Sequence, residues 1–285
     1  MIEQIKFIDK SFDLDNINSY QLSLQIHMKG FSFCILDRDR NKFIALSNYF
    51  YNKINSYNIL LEEIKNIYNT DDLLKLNFNH VKLLFTTDKY TYIPAPFFDN
   101  NEIESVFSFN QELKKNETLL TNYTYGNSSY TIFSIPNFIK DFFTNKHTDL
   151  NIYHHSTPLI EEVLLKEKLT TNNSKVFLNI LPNIFDLVII ENGRLKLFNT
   201  FTYNTNNDFQ YHILNTFNIL SLSPLTTQVS ITGIIKHNDI KIETLKKYIK
   251  QIKFLNKPTH FTYSYEFNNI PNHYFSNLIN LYQCV

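Results

Sequence analysis

The feature that most constrains the fold is a run of three strands and a helix in the middle of the chain. Residues 175–214 read KVFLNILPNIFDLVIIENGRLKLFNTFTYNTNNDFQYHIL. The stretches 175–181 and 185–191 are short, apolar and rich in β-branched residues, as buried strands are. Asn192 and Gly193 form the pair of residues that favours a tight hairpin. The stretch therefore predicts three strands joined by tight turns, followed by a helix.

The same unit occurs near the start of the chain. Residues 22–50 align with residues 178–201 so that Ile26 lies opposite Ile180, and apolar positions continue to match through both hairpins. A helix is then predicted at 57–69, and another strand follows it. This repetition predicts an internal duplication.

Strand and helix patterns continue to alternate after the second unit. The predicted elements are a strand at 228–235, a helix with Ile242, Leu245, Ile249 and Ile252 on one face, a strand at 260–266 and a helix at 272–283. The resulting order, βββαβαβα, is typical of the ribonuclease-H-like fold, which also forms each half of the actin-like ATPases.

The prediction for the whole chain is an α/β protein built from two ribonuclease-H-like (actin-like ATPase) halves, each βββαβαβα. The first half is predicted at residues 1–170 and the second at 175–285. Further strand and helix signals at about 88–147 predict an insertion in the first half. The polar residues 169–174 form the predicted linker.

Glycine is scarce, which bears directly on nucleotide binding. The chain has 4 glycines in 285 residues, whereas average usage of about 7% would give roughly five times as many. Phosphate-binding loops need glycine because the backbone approaches the ligand closely, often with positive φ. No two glycines lie close enough together for such a loop, so the known phosphate-loop and dinucleotide fingerprints are excluded.

Charge and termini argue against several classes of partner. Lys and Arg total 27, as do Asp and Glu, so no bulk positive charge favours nucleic acid or an anionic membrane. No apolar run approaches the roughly 20 residues that span a bilayer. The first residues mix acidic and apolar side chains, unlike a signal peptide. The sequence therefore predicts a cytoplasmic protein without nucleic-acid binding or membrane insertion.

Three stretches carry a resemblance to a known family: LSLQIHMKGFSFCILD (22–37), YTYIPAPFF (90–98) and FNTFTYNTNNDFQYHIL (198–214). They resemble an uncharacterised bacterial family, domain of unknown function family 3822, nearly from end to end. The resemblance implies an actin-like fold, distantly similar to the pilus-assembly actin-like proteins. It implies no activity, because the family has none assigned.

The actin-like template also supplies a test of ATPase function. Its ATPases begin each half with Asp-x-Gly, which places a carboxylate near the metal and glycine beside the phosphates. Here the matching positions hold Gln25 and His27 in the first half, and Asn179 and Leu181 in the second. We expect His27 and Leu181 to project into the phosphate space. The glycine pair that admits adenosine is reduced to Gly233.

Other chemistry finds little support in the sequence. A two-metal nuclease needs several carboxylates on the central strands, and these strands carry amides instead. His154 and His155 are adjacent in a predicted strand, so they point to opposite faces and do not readily share a metal ion. Cys34 lies in an apolar strand and is expected to be unreactive. No catalytic residue, metal site or cofactor is therefore predicted.

Two functions remain as hypotheses. The first is a non-catalytic actin-like protein that binds or scaffolds another protein, and the second is a divergent ATP-binding enzyme of the actin-like or sugar-kinase class. For the first, the segment 202–208 is predicted to face the groove between the halves. Its candidate partner-binding residues are Tyr203, as an exposed aromatic anchor, with Asn204, Thr205 and Asp208. The alternative for this segment is a well-capped helix start.

Overall fold

The computed structural model describes residues 5–51, 53–169 and 174–284. The strands of this part are β1 (Ile5–Ile8), β2 (Tyr20–His27), β3 (Gly30–Asp37), β4 (Lys42–Phe50), β5 (His80–Phe85), β6 (Tyr90–Pro94), β7 (Glu117–Thr124), β8 (Ser129–Pro136), β9 (Leu150–His154), β10 (Ser174–Leu181), β11 (Ile184–Glu191), β12 (Arg194–Thr202), β13 (Gln228–Gly233), β14 (Gln251–Phe254) and β15 (Thr262–Tyr263). The α-helices are α1 (Tyr57–Thr70), α2 (Ile103–Ser108), α3 (Asn137–Lys146), α4 (Ser156–Glu167), α5 (Asn206–Ile219), α6 (Ile240–Tyr248) and α7 (Ser276–Asn280).

Two sheets repeat the same strand arrangement. The first has the order β1-β4-β3-β2-β5-β9, and the second has the order β12-β11-β10-β13-β14. In each, three antiparallel strands are followed by parallel strands: β2 pairs in parallel with β5, and β10 with β13. This places the first strand of each hairpin unit at the centre of its sheet, where both faces are covered.

Burial explains the apolar runs in the sequence. Every residue of β2 and of β3 is buried, because helices cover both faces of the first sheet. Strand β12, at the edge of the second sheet, instead alternates exposed and half-buried residues. Burial along the whole strand therefore marks a central position, and alternating exposure marks an edge.

The helices form layers on either side of the sheets. Leu60 and Ile64 of α1 pack on the outer face of the first sheet, and Ile213 of α5 and Leu245 of α6 pack on that of the second. Helix α4 packs on β10 and β11, and α7 packs on β3 and β4, so both helices lie between the sheets. The two sheets thus face each other across α4 and α7.

A third sheet, β6-β8-β7, lies in the chain between β5 and β9 together with α2 and α3. Its antiparallel strands β7 and β8 are joined by a turn at Tyr125–Asn127. Tyr90 and Tyr92 of β6 make edge contacts with Phe198 of β12 at centroid distances of 5.5 and 5.6 Å. This small sheet therefore also contacts the second sheet.

The C-terminal region departs from the sequence prediction. The expected strand at 260–266 contains only the two-residue β15, and it pairs with β4 of the first sheet rather than with the second sheet. Phe261, Phe267 and Phe275 pack against Phe43 in a shared core cluster. The chain returns to the first sheet because that sheet has an uncovered apolar face there.

Two predicted helices are also shorter than expected. Helix α6 ends at Tyr248, and Ile252 belongs to strand β14, which pairs in parallel with β13. The expected helix at 272–283 consists of α7 and a 3-10 turn at Leu281–Gln283. Apolar spacing alone does not show where a helix gives way to a parallel strand. Residues 170–173 of the predicted linker lie outside the described residues.

Candidate functional site

A cleft lies where the turns of the two sheets face each other. It has a volume of about 190 Å³ and is lined by Met28, Tyr57, Thr86, Thr87, Asp88, Asn183, Ile184 and Thr202. The first five residues come from the first sheet and its helix α1, and the last three from the second sheet. Ligand pockets usually measure roughly 300–1,000 Å³, so this cleft is small for a nucleotide.

Two-residue turns form the walls of the cleft. His27 pairs with Gly30 and Leu181 pairs with Ile184, so strand pairing continues to the last residue before each turn. The Lys29 ammonium donates to the Ile54 carbonyl at 2.6 Å. Both turns are therefore tight, and a hydrogen bond also fastens the first turn to the segment before α1.

The four positions that match Asp-x-Gly do not line the cleft. Gln25, His27, Asn179 and Leu181 are each at most 3% exposed. His27 and Leu181 are therefore buried outside the lining of this cleft, and their projection into the phosphate space stays a prediction. The turn residues that follow them reach the cleft instead, because strand pairing holds the last strand residues within the sheets.

His27 is a buried, neutral side chain. Complete burial lowers its pKa from 6.5 to about 4. Its Nδ1 accepts a hydrogen bond from the Lys29 N–H at 3.3 Å, and its Nε2 has no partner among the described residues. A Cβ at Gly30 would lie 2.5 Å from this Nε2. The imidazole thus occupies the space beside Gly30, and Gly30 provides no room for a ligand.

Asn179 belongs to a buried polar cluster between the two sheets. Its Nδ2 donates to Asp186 Oδ2 at 2.9 Å, and the Thr200 hydroxyl donates to Asp186 Oδ1 at 2.8 Å. His155 Nε2, at the start of α4, lies 2.7 Å from the same Oδ1. Asn277 of α7 donates to the His155 carbonyl at 3.1 Å. The cluster joins the second sheet to both helices that lie between the sheets.

Asp186 is the residue whose role the sequence did not reveal. It is 2% exposed, and both carboxylate oxygens accept hydrogen bonds. It therefore has little capacity to replace the missing nucleotide-metal carboxylates. The one available signal was its position opposite Asn179 in the second hairpin.

The start of α5 is capped within the protein. Thr205 is the N-cap and forms a capping box with Asp208. The Asp208 carboxylate accepts from the Asn204 and Thr205 N–H groups at 3.1 and 2.9 Å, and these bonds lower its pKa. These donors are already used, and the carboxylate would repel a phosphate at this helix end. Asp208 is thus part of the capping box rather than the N-cap itself.

Tyr203 is a core residue and not the exposed anchor expected from the sequence. It is 9% exposed and packs against Phe185 and Phe209. Its hydroxyl donates to the Leu181 carbonyl at 2.8 Å, and its N–H donates to the Asn183 carbonyl at 3.0 Å. Tyr203 therefore fastens the second turn of the cleft, while Asn204 and Thr205 beside it are exposed.

Gly233 serves the packing of the second sheet. Its φ is +99°, and a Cβ there would lie 2.1 Å from the Ile180 carbonyl oxygen. Its N–H donates to the His273 carbonyl at 2.9 Å. The close approach of two backbones accounts for this glycine without a ligand.

The rings of His154 and His155 lie side by side, with centroids 4.2 Å apart. The expectation that they point to opposite faces is wrong, because β9 ends at His154 and His155 is already the N-cap of α4. Their polar contacts nevertheless differ. His154 bonds to the Ser156 hydroxyl and the Thr87 carbonyl, whereas His155 contacts Asp186. Burial lowers the pKa of His154 well below its usual value. Within the described ranges, no three His, Cys, Asp or Glu side chains are grouped as a metal site requires. No helix in those same ranges combines the length and apolar character needed to cross a bilayer.

Comparison with known proteins identifies the fold. A family model described as a protein of unknown function, DUF3822, matches residues 9–252. A crystal structure of a Bacteroides thetaiotaomicron protein with an actin-like ATPase fold and unknown function matches with a TM-score of 0.76 and 24% identity, covering 86% of this chain and 93% of that chain. A structure of a PilM-PilN type IV pilus biogenesis complex matches with a TM-score of 0.59 and 9% identity, covering 92% and 97%. No curated protein matches in sequence. The chain therefore has a mixed α/β fold of the actin-like ATPase type.

Proposed function

The chain belongs to the DUF3822 family, and from this premise we propose that it is a non-catalytic actin-like module that binds a partner protein. The observation that carries the proposal is the cleft, whose lining has a single charged side chain, the carboxylate of Asp88. A triphosphate needs cations or a metal held by carboxylates to balance its charge. This cleft is small, and none of its lining side chains is a cation.

The organisation of the chain is part of the same proposal. We infer that residues 1–170 and 175–285 correspond to two ribonuclease-H-like halves, with residues of about 88–147 inserted in the first. The shared order of three antiparallel and two parallel strands in the two sheets supports this inference. The C-terminal segment is the exception, since it packs on the first sheet.

Two observations support a protein partner. PilM, which shares the fold, is found in a complex with PilN. In this chain, Asn204, Thr205 and Asn207 are exposed beside Thr202, which lines the cleft. Exposed amide and hydroxyl groups next to a closed cleft can hydrogen-bond a partner without bound nucleotide. With Asp208, which orders the segment, they are the proposed partner contacts.

Thermal unfolding with Mg-ATP tests the non-catalytic part of the proposal. At about 5 mM ligand, a site with a Kd of about 50 µM would stabilise the protein by about 2.7 kcal/mol. This corresponds to an increase in Tm of roughly 5–10 °C. We expect no increase with Mg-ATP or Mg-ADP. An increase in Tm that is lost in Met28→Arg, a substitution in the lining of the cleft, would support the divergent ATP-binding enzyme instead.

Charge insertion tests the partner-binding part. Proteins cross-linked to the chain in its own cells would be identified, purified and assayed for direct binding. We expect Asn204→Arg to weaken binding of the true partner by about tenfold or more, as an unpaired charge at an interface does. Asn66→Arg, on the exposed surface of α1, is the matched control and should bind as wild type does. Equal affinity of the wild-type chain, Asn204→Arg and Asn66→Arg for the partner would contradict the proposed surface.

A further inference from the structure

A second pocket lies against α4, on the side that carries Thr157, Glu161 and Leu165. It has a volume of about 490 Å³ and is lined by Tyr123, Tyr125, Thr157, Glu161, Leu165, Gln283 and Cys284. The small sheet, α4 and the C-terminal turn each contribute residues. No residue is shared with the cleft, and the volume falls within the usual range of about 300–1,000 Å³ for ligand pockets.

Two tyrosine rings stand at right angles at this pocket. The centroids of Tyr123 and Tyr125 are 4.8 Å apart with an interplanar angle of 87°. Tyr123 also contacts Tyr130, which stacks on Phe98 at 3.7 Å, so neighbouring rings support its position. Tyr125 is 62% exposed. Aromatic rings carry an electron-rich face, which attracts a cation that binds against it.

A carboxylate is fixed beside the rings. Glu161 accepts hydrogen bonds from the N–H groups of Tyr125 and Gly126. Gly126 approaches α4 so closely that a Cβ there would lie 2.8 Å from Leu164. The turn and the carboxylate are thus held together, and each oxygen retains a lone pair for a further donor.

The negative charge of Glu161 is not balanced within the pocket. None of the seven lining residues is a Lys, Arg or His. The nearby Lys82 ammonium donates to the Tyr282 and Cys284 carbonyls. Burial raises the pKa of the Cys284 thiol to about 12, so it remains neutral. Burial also raises the pKa of Glu161, which indicates that an incoming cation would relieve an unfavourable charge.

We propose that this pocket binds the guanidinium group of an arginine side chain presented by a partner protein. Perpendicular aromatic rings with a fixed carboxylate suit an organic cation, which gains from both the ring faces and the negative charge. A planar guanidinium also donates to the free lone pairs of a carboxylate and stacks on tyrosine. Leu165, 64% exposed at the rim, packs against the aliphatic carbons of the bound arginine side chain. The protein origin of the arginine rests on the proposed function; the cation chemistry does not.

Calorimetry with capped amino acids tests the pocket in the full-length chain. The probes are N-acetyl-arginine amide and N-acetyl-citrulline amide, its neutral isostere. We expect the arginine probe to bind about tenfold more tightly or better, since a hydrogen-bonded charge is lost in citrulline. Equal affinity of the two probes would overturn the proposal.

Two variants locate the binding. Glu161→Gln keeps one of the two acceptors for the turn and removes the charge, and we expect it to weaken arginine binding about tenfold. Tyr125→Leu changes an exposed side chain, so the fold is retained, and we expect a loss of about threefold or more. Glu62→Gln, on an exposed side chain that is not in this pocket, should bind as wild type does. Unchanged affinity in a folded Tyr125→Leu variant would contradict the assigned site.

A third probe separates the source of the cation from its chemistry. Tetramethylammonium binding as tightly as the arginine probe would indicate a site for free alkylammonium ions and overturn the partner assignment. Stabilisation by Mg-ATP with unchanged arginine binding would reject the proposed function and leave the cation site standing. Arginine selectivity that Glu161→Gln abolishes supports the inference.

Discussion

Replacing Asp186 by alanine tests whether the buried polar cluster holds the second sheet against α4 and α7. In the wild-type chain, His155, Asn179 and Thr200 all direct polar atoms at this one carboxylate. Alanine removes the acceptor and leaves two of those groups fully buried, with His155 at 0% and Asn179 at 2% exposure, and the third, Thr200, half-buried. The variant therefore measures the cost of unsatisfied polar groups at the contact between the sheets.

The expected loss is large compared with total stability. Removing one partner from a buried pair costs about 3–5 kcal/mol, and a protein of this kind has a total stability of about 5–15 kcal/mol. We expect the free energy of unfolding of Asp186→Ala to fall by that amount. Thr200→Val removes one hydrogen bond from the same carboxylate and should cost about 1 kcal/mol.

Urea unfolding followed by circular dichroism gives these free energies, and a double-mutant cycle with His155→Ala isolates the pair. We expect a coupling energy of about 1–3 kcal/mol, because the two residues are in contact. Asp72→Ala is the control, since that side chain is 94% exposed, and its unfolding midpoint should equal that of wild type. A loss below about 1 kcal/mol for Asp186→Ala, or additive effects of the two substitutions, would refute the reasoning.

Three further substitutions or conditions give clear expectations. Gly233→Ala places a Cβ against the Ile180 carbonyl at φ +99°, so calorimetric unfolding should show a loss of about 3 kcal/mol or more. Tyr203→Ala should cost about 3–5 kcal/mol in urea unfolding as a core truncation and Tyr203→Phe about 1 kcal/mol; an unchanged Tyr203→Ala would show that the ring is not in the core. The pKa of His27 is about 4 in the folded chain and 6.5 in the unfolded chain. The free energy of unfolding is therefore unaffected by this group above pH 6.5, and it falls as the pH decreases towards 4 because only the unfolded chain takes up the proton. Urea midpoints across that range should show a loss of up to about 3 kcal/mol from this group, and a smaller loss in His27→Asn; equal pH dependence would contradict the assignment.

The repeated unit was predictable because its signals are local. Central strands such as β2 and β10 are covered on both faces, and they carry apolar residues at most of their buried positions. The Asn-Gly turn and the spacing of apolar residues in α1 and α5 act over a few residues. Replacement of the Asp-x-Gly residues is likewise visible in the sequence alone.

The tertiary structure decided which sheet each element joins and which side chains reach the cleft. β15 pairs with β4 more than 200 residues earlier in the chain, at Thr262 opposite Lys42. The spacing of apolar residues around β15 contains no information about so distant a partner. Tyr203 is surrounded in the sequence by small polar residues, which suggested an exposed position. In the structure it is buried, and its hydroxyl donates a hydrogen bond to the Leu181 carbonyl.

The sequence by itself therefore determined the strands and helix of each repeated unit, because their signals depend on neighbours along the chain. Only the folded chain brought His155 to Asp186 and set Tyr125 beside Glu161. These contacts join residues 31 and 36 positions apart. They depend on how α4 is packed between sheets, which is set by the burial of apolar area over the whole molecule and not by any short stretch of residues.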